Sequence, residues 1–336
     1  MSELNKIALK ILSNGKGILA ADESNGTMTK RLDSVNISSS PENRLLFRET
    51  LFSSDGMKDC IGGVILYDET INQTSSSKET IPELISKSGA VSGIKVDTGA
   101  KILAGSVEEK ITEGLDGLRE RLQVYYKLGA RFTKWRGVYN ISDIYPSKLS
   151  IHSNAHALAR YSALVQECGM VPIVEPEVLM DGNHSAKTCL NKTSEVIKKC
   201  FEELTFHNID LSGIILKPNM ILAGTSSDKK TSSEEVAKLT LECLKKNVPS
   251  DVPGIAFLSG GQSEVEAAEN LNLINKYNDS NFIMTYSYGR ALQQSALKFW
   301  SKDIKNIQGT QKVFNHRARM CTLAAQGKWS VELEKK

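Results

Sequence analysis

Eight short apolar runs set the frame of this chain: GILAA (17–21), IGGVILY (61–67), VSGIKV (91–96), ARFTKWRGVY (130–139), MVPIVEPEVL (170–179), SGIILKPNMI (212–221), PGIAFLSGG (253–261) and FIMTYSYGR (282–290). Most are near-continuous rather than alternating, which is how strands covered on both faces of a parallel sheet read. Helix-like stretches lie between them. PENRLLFRETLFSS follows a serine cluster and has Pro41 in a first-turn position. LDGLRERLQVYYKLGA runs up to the stop signal Gly129, and SNAHALARYSALVQECG opens on a capping Ser153 and ends at Gly169. SEEVAKLTLECLKKN and SEVEAAENLNLINKY both begin with Ser and early Glu, and RALQQSALKFW follows the last run directly. Strand-helix alternation repeated eight times predicts an α/β fold of the (β/α)₈ TIM-barrel type, one domain over residues 1–336. An amphipathic N-terminal helix is expected over about 1–14 and a C-terminal helical tail over about 308–336. An open doubly wound sheet is the rival, but it carries a glycine-rich nucleotide turn after its first strand, and GILAADES has none.

Composition removes several classes of function. The 336 residues carry 42 Lys+Arg against 39 Asp+Glu, a net charge of +3, so no strong field favours nucleic acid or an anionic membrane as partner. No apolar run approaches the roughly 20 residues of a membrane span. The N-terminus MSELNKIALKILSNGKG has helical spacing and no signal-peptide core. Cys60, Cys168, Cys189, Cys200, Cys243 and Cys321 include no CxxC pair, so reduced packing thiols and a cytoplasmic location are expected.

Ionisable residues interrupt the apolar runs at recurring places. Run one leads into Asp22 and Glu23; run three contains Lys95, then Asp97; run four carries Lys134 and Arg136; run five holds Glu175 and Glu177; run six holds Lys217 before Pro218-Asn219. On parallel barrel strands these groups gather at the C-terminal mouth, where barrel enzymes keep their chemistry. Any one of these lysines alone could extend its ammonium to solvent. Three in three runs point instead to crowded, partly desolvated cations, which depress a lysine pKa and supply the neutral amine that attacks a carbonyl. Glu175, Glu177 and Asp22 are then the groups to exchange protons. An ion-pair network that only braces the barrel is the alternative.

Two glycine sites point to phosphate. Ser259-Gly260-Gly261 ends run seven before a helix start, and Ser287-Tyr288-Gly289-Arg290 ends run eight with a guanidinium added. Glycines let backbone N–H groups approach an oxyanion, and barrels of this kind hold phosphate after strands seven and eight. His152 and His156 stand four apart without the Glu of HExxH, so capping and surface roles are expected of them. Trp135, between Lys134 and Arg136, faces the other way along a strand and is expected to pack.

GKGILAADES (15–24), GIKVD (93–97), KWR (134–136), VEPE (174–177), LKPNM (216–220), FLSGGQSE (257–264) and SYGRALQ (287–293), in this order, resemble the class I fructose-bisphosphate aldolases along nearly the whole chain. The resemblance implies reversible cleavage of fructose 1,6-bisphosphate between carbons 3 and 4, in glycolysis and gluconeogenesis. Lys217 matches the Schiff-base lysine, Glu175 the acid/base that assists carbinolamine dehydration, and Asp22 the carboxylate that takes the 4-hydroxyl proton. Lys134 and Lys95 match electrostatic partners, with Glu177 beside them. Ser259, Gly260 and Arg290 match one phosphate site, to which the glycine reading adds Gly261, Ser287 and Gly289; Arg31, Arg136, Ser24 and Thr27 serve the other end of the substrate. The resemblance implies no metal and no cofactor beyond the lysine adduct, phosphorylated sugars as partners, and a homotetramer. Many eukaryotic relatives end in a tyrosine that aids proton exchange at the enamine, whereas this sequence finishes GKWSVELEKK. The same machinery acting on tagatose or sedoheptulose bisphosphate, or a scaffold that uses the basic mouth to hold acidic partners, are the competing readings.

Overall fold

The structure, a computed structural model, describes residues 1–335. Eight parallel strands close into a barrel: β1 (Gly17–Ala21), β2 (Ile61–Leu66), β3 (Val91–Lys95), β4 (Phe132–Tyr139), β5 (Val171–Val178), β6 (Ile215–Leu216), β7 (Gly254–Phe257) and β8 (Ile283–Tyr288). Each strand pairs with its sequence neighbours, and β8 returns to β1 with Ile18 opposite Ser287. The fold is therefore the predicted TIM barrel rather than the open sheet. Each run supplies a strand, although β6 shrinks to two residues because Pro218 has no N–H to continue the ladder.

The two-residue period of the strands sorts side chains into two cores. Ile18, Ala20, Ile65, Val91, Phe132, Val171, Ile173, Ile215 and Ala256 fill the barrel interior. Leu19, Ala21, Val64, Ile94, Trp135, Val174, Leu216 and Phe257 alternate with them and pack outward against the helices. Trp135 packs against Tyr161, ring centroids 5.5 Å apart, as its position predicts. The N-terminal helix Glu3–Leu12, capped by Ser2, closes the bottom of the barrel with Ala8, Ile11 and Leu12. Its fit is tight: a Cβ on Gly62 would stand 1.9 Å from the Ile11 carbonyl oxygen.

Local signals placed most helices. Pro41 opens Pro41–Phe52, and Ser263 with Glu266 forms a reciprocal capping box at Glu264–Tyr277. The helix expected to open at Ser153 instead spans Lys148–Glu167 with Ser147 as cap, and Ser153 lies inside it. The hairpin Gly99–Ile102 with Lys110–Glu113 and the long helix Ala186–Phe206 carry no strong sequence signature. The C-terminal segment forms the helix Ile307–Ala325 and the 3₁₀ turn Val331–Lys335; Lys336, where the expected tail ends, lies outside the described residues. There Glu334 accepts two bonds from Arg317, both 2.8 Å, and one from Trp329 Nε1 at 2.7 Å. Among the described residues no helix is long and apolar enough to cross a membrane.

Phe132 owes its place inside the barrel to Gly93, where a Cβ would meet the ring at 2.4 Å. Gly93→Ala is expected to destabilise the chain by about 1–3 kcal/mol through overpacking. Phe132→Leu in the same chain should recover part of that loss, as read by urea unfolding of both variants and the wild type.

Candidate active site

The inward-facing set changes character at the C-terminal end of the strands. On β4, Phe132 is followed inward by Lys134 and Arg136; on β5, Ile173 is followed by Glu175 and Glu177. Asp22 extends β1, and Lys217 extends β6, its amide donating to the Val174 carbonyl at 2.8 Å. The register sets Arg136 opposite Glu175 and Lys95 opposite Lys134. A cavity of 1010 Å³ opens above this layer. All the predicted site residues line it: Asp22, Ser24, Thr27, Arg31, Lys95, Lys134, Arg136, Glu175, Glu177, Lys217, Ser259, Gly260, Gly261, Ser287, Gly289 and Arg290.

At the floor the charges alternate. Lys217 Nζ lies 3.1 Å from Glu175 Oε1; Glu175 Oε2 lies 3.2 Å from Lys134 Nζ; Lys134 Nζ lies 2.8 Å from Asp22 Oδ2. The cations do not crowd one another as the sequence suggested, because a carboxylate stands between them. Burial by itself would raise the Asp22 pKa, but the charges of Lys134 and Lys217 and the Lys134 hydrogen bond hold it down to about 2. Glu175 is likewise held below the usual carboxylate range, burial being outweighed by Lys134, Lys217 and Arg136. Burial opposes the Lys134 ammonium, yet Asp22 and Glu175 raise its pKa well above that of an ordinary lysine.

Two predicted members of this cluster stand apart from it. Glu177 pairs with Arg136, one pleat above Glu175, rather than with either buried lysine. Burial disfavours the Arg136 guanidinium, but Glu177 outweighs it and raises its pKa. Lys95 turns to Asp97, 2.8 Å from Oδ1, and donates to the Asp97 carbonyl at 3.0 Å.

Opposite rims carry different anion-binding equipment. At Ser259-Gly260-Gly261 both glycines have positive φ, +55° and +83°, a turn that side chains strain to adopt. Next to it the helix Arg290–Trp300 begins at Gly289 with no side-chain cap among the described residues; the Leu292 amide donates to the Gly289 carbonyl at 3.1 Å, which leaves the N–H groups of Arg290 and Ala291 to face an anion. Ser287 Oγ is buried and has no hydrogen-bond partner among the described residues. On the far rim, Ser24 caps the helix Asn25–Asp33 by accepting from the Thr27 amide at 3.3 Å. Arg31, on that helix, pairs with Glu23 through Nη1, and its Nε and Nη2 have no hydrogen-bond partner among the described residues.

Several supporting residues escaped the sequence reading. Arg48 is fully buried and donates to the Glu23 carbonyl at 2.8 Å, its Nη2 also 3.6 Å from Glu23 Oε2. Gln293 donates to the Ala20 carbonyl at 2.8 Å and to Glu23 at 3.3 Å. A signal for Arg48 existed: in PENRLLFRETLF, Arg44 and Arg48 share the i, i+3, i+4 stripe with Phe47, Leu51 and Phe52, where a helix buries its side chains. Asn219 replaces the ladder that Pro218 interrupts. Its Oδ1 accepts from the Val178 amide at 3.0 Å, and its Nδ2 donates to Thr193 at 3.2 Å and to the Met220 carbonyl at 3.1 Å. Lys217 is thus fixed from both sides.

The whole chain can be set beside known proteins. Residues 3–336 match the family model of fructose-bisphosphate aldolase class-I. The chain is 48% identical over 330 residues to a probable fructose-bisphosphate aldolase class 1 of Xylella fastidiosa, covering 98% of this chain and 99% of that protein. It is 50% identical over 329 residues to the non-muscle type fructose-bisphosphate aldolase of Lethenteron camtschaticum, 97% of this chain and 90% of the relative. A solved structure of fructose-bisphosphate aldolase from Plasmodium falciparum, in complex with TRAP and a small molecule inhibitor, superposes with a TM-score of 0.96 at 43% identity, covering 98% of this chain and 95% of that one. With the barrel, the buried lysine at the end of β6 and this likeness along its full length, the chain belongs to the class I fructose-bisphosphate aldolase family.

Proposed function

We propose that this chain, acting as a single domain, cleaves fructose 1,6-bisphosphate reversibly into dihydroxyacetone phosphate and glyceraldehyde 3-phosphate through a Schiff base on Lys217. The observation that carries the proposal is a buried amine 3.1 Å from a carboxylate at the floor of a cavity large enough for a sugar bisphosphate. Attack on the substrate's ketone carbon requires the amine to give up a proton, and Glu175 is within reach to take it. Returning that proton to the carbinolamine hydroxyl lets water leave and the iminium form. The 4-hydroxyl proton then passes to Asp22, the bond between carbons 3 and 4 breaks, and its electron pair moves into the iminium to give an enamine. Protonation at carbon 3 and hydrolysis release the second product and restore the lysine. No metal enters this scheme: the iminium is the electron sink.

Lys134 is assigned the role of a fixed cation. A raised pKa keeps it charged, so it orders Asp22 and Glu175 rather than trading protons with them. A carboxylate held to about 2 is a weak base. Asp22 becomes a stronger one as substrate hydroxyls draw the Lys134 ammonium away from it. The two phosphates are assigned to the opposite rims, one to the glycine turn, Ser287, Gly289 and Arg290, the other to Arg31 with Ser24 and Thr27. Lys95, Arg136 and Glu177 position substrate oxygens at the wall. By its family likeness the chain is further assigned to glycolysis and gluconeogenesis in the cytoplasm, and to a homotetramer that sedimentation equilibrium would reveal.

Borohydride reduction in the presence of dihydroxyacetone phosphate should leave a covalent adduct on Lys217, found by peptide mass mapping and unaffected by chelators. Lys217→Met should abolish cleavage while binding of phosphorylated ligands by calorimetry is largely kept; persistent cleavage would refute the scheme. Relative kcat/KM values for fructose, tagatose and sedoheptulose bisphosphates decide the substrate. Glu175→Gln should lower kcat by about 10²–10⁴ with a smaller change in KM, as expected for loss of a general acid/base.

The depressed Asp22 pKa has a stability consequence. Its contribution is fully present above the unfolded value of 3.8 and is lost as pH falls through about 2. The stability difference between wild type and Asp22→Asn should therefore be constant above about pH 5 and shrink by about 2 kcal/mol toward pH 2, as measured by urea unfolding across that window.

A further inference from the structure

Three of the chain's five histidines meet on the outer helical layer, and none of them lines the cavity. His152 and His156 stand one turn apart on the helix Lys148–Glu167; Glu203 and His207 stand one turn apart at the end of Ala186–Phe206. A spacing of four brings two side chains to one helix face, so two facing helices each offer a chelating pair. Glu203 is the hub. Its carboxylate is buried, with Oε1 3.2 Å from His152 Nδ1 and Oε2 3.3 Å from His156 Nδ1. One ligand atom each from His156, Glu203 and His207 lie within 4.8 Å of one another. Ligands about 2.1 Å from a tetrahedral ion stand about 3.4 Å apart, so small rotamer changes would seat one.

His207 is already prepared for this role. Its Nδ1 lies 2.9 Å from the Glu203 backbone carbonyl, a contact only a protonated Nδ1 can make, which leaves the Nε2 lone pair for a ligand bond. Lys199 is the competitor, 3.0 Å from Glu203 Oε1 and 3.5 Å from Glu202. A divalent ion would displace it toward Glu202.

We infer that His156, Glu203 and His207, with His152 reaching the same carboxylate from outside that trio, form a binding site for a divalent transition metal of the Zn²⁺ type, which clips the two helices together. Three imidazoles and one carboxylate suit that class of ion. The inference is independent of the lysine chemistry.

The test is calorimetric titration of the EDTA-stripped, dialysed full chain with zinc chloride at about pH 7.5. One ion per chain with micromolar affinity is expected, with a melting temperature raised by about 3–6 °C at saturation. The exposed pair is replaced in His152→Ala/His156→Ala, and His207→Gln provides a second, separately folded variant. With metal-free melting temperatures unchanged, both should bind at least tenfold more weakly and lose the thermal shift. Absence of saturable binding to the wild type, or affinities in the variants within tenfold of it, would overturn the inference.

Discussion

Everything at the barrel mouth depends on four charges that neutralise one another. Lys217, Glu175, Lys134 and Asp22 form a row in which every neighbour has the opposite sign. Buried alone, any of these groups would cost several kcal/mol; buried together, each offsets the desolvation of the next. Removing one leaves an odd charge enclosed, so the row is an electrostatic unit rather than four independent residues. That is also why Asp22 and Glu175 stay ionised although they are buried. Further pairs surround the row: Lys95 with Asp97, Arg136 with Glu177, and Arg31 and Arg48 with Glu23. Arg290 and Lys30 line the same cavity and, among the described residues, have no carboxylate in ion-pair range. Asp181 lines it as well, without a cation in ion-pair range among the described residues, so seven cationic side chains against six carboxylates leave the lining with a small formal positive excess.

The row can form because of how the strands divide their side chains. Inward positions are apolar at the bottom and charged at the top of the same strands, with Phe132 below Lys134 on β4 and Ile173 below Glu175 on β5. The apolar layer and the N-terminal helix beneath it seal one end, so the charged layer meets solvent only through the cavity. Asn219 performs the same service at β6, where proline ends the ladder and a side-chain amide takes over its hydrogen bonding.

Much of this was legible in the sequence because strand period and burial leave strong marks. Eight apolar runs gave eight strands, and charges at their ends gave the cavity lining. Pairing was less legible. Lys95 and Lys134 look equivalent in the sequence and are opposite each other in register, yet one turns to Asp97 and the other to Asp22 and Glu175. Glu177 and Glu175 are one pleat apart, and that single step separates the Arg136 partner from the lysine partner. Arg48 and Gln293 reach the site from helices distant in sequence, so only tertiary packing reveals them. The cluster around Glu203 was hidden for the same reason: His152 and His156 were visible as a pair, but Glu203 and His207 come from a helix some fifty residues further along the chain.

Barrel closure joins the two ends of the chain. Thr285 on β8 donates to the carbonyl of Lys16, just before β1, across a separation of 269 residues. During synthesis at about 5–20 residues per second, β1 emerges roughly 13–54 s before its last partner exists. For that interval the nascent sheet has an unpaired edge at β1, the kind of surface on which chains aggregate. The seam between first and last strands thus makes the ribosome's pace part of this protein's folding problem, and makes the unfinished chain, more than the finished enzyme, the species that needs protection in the cell.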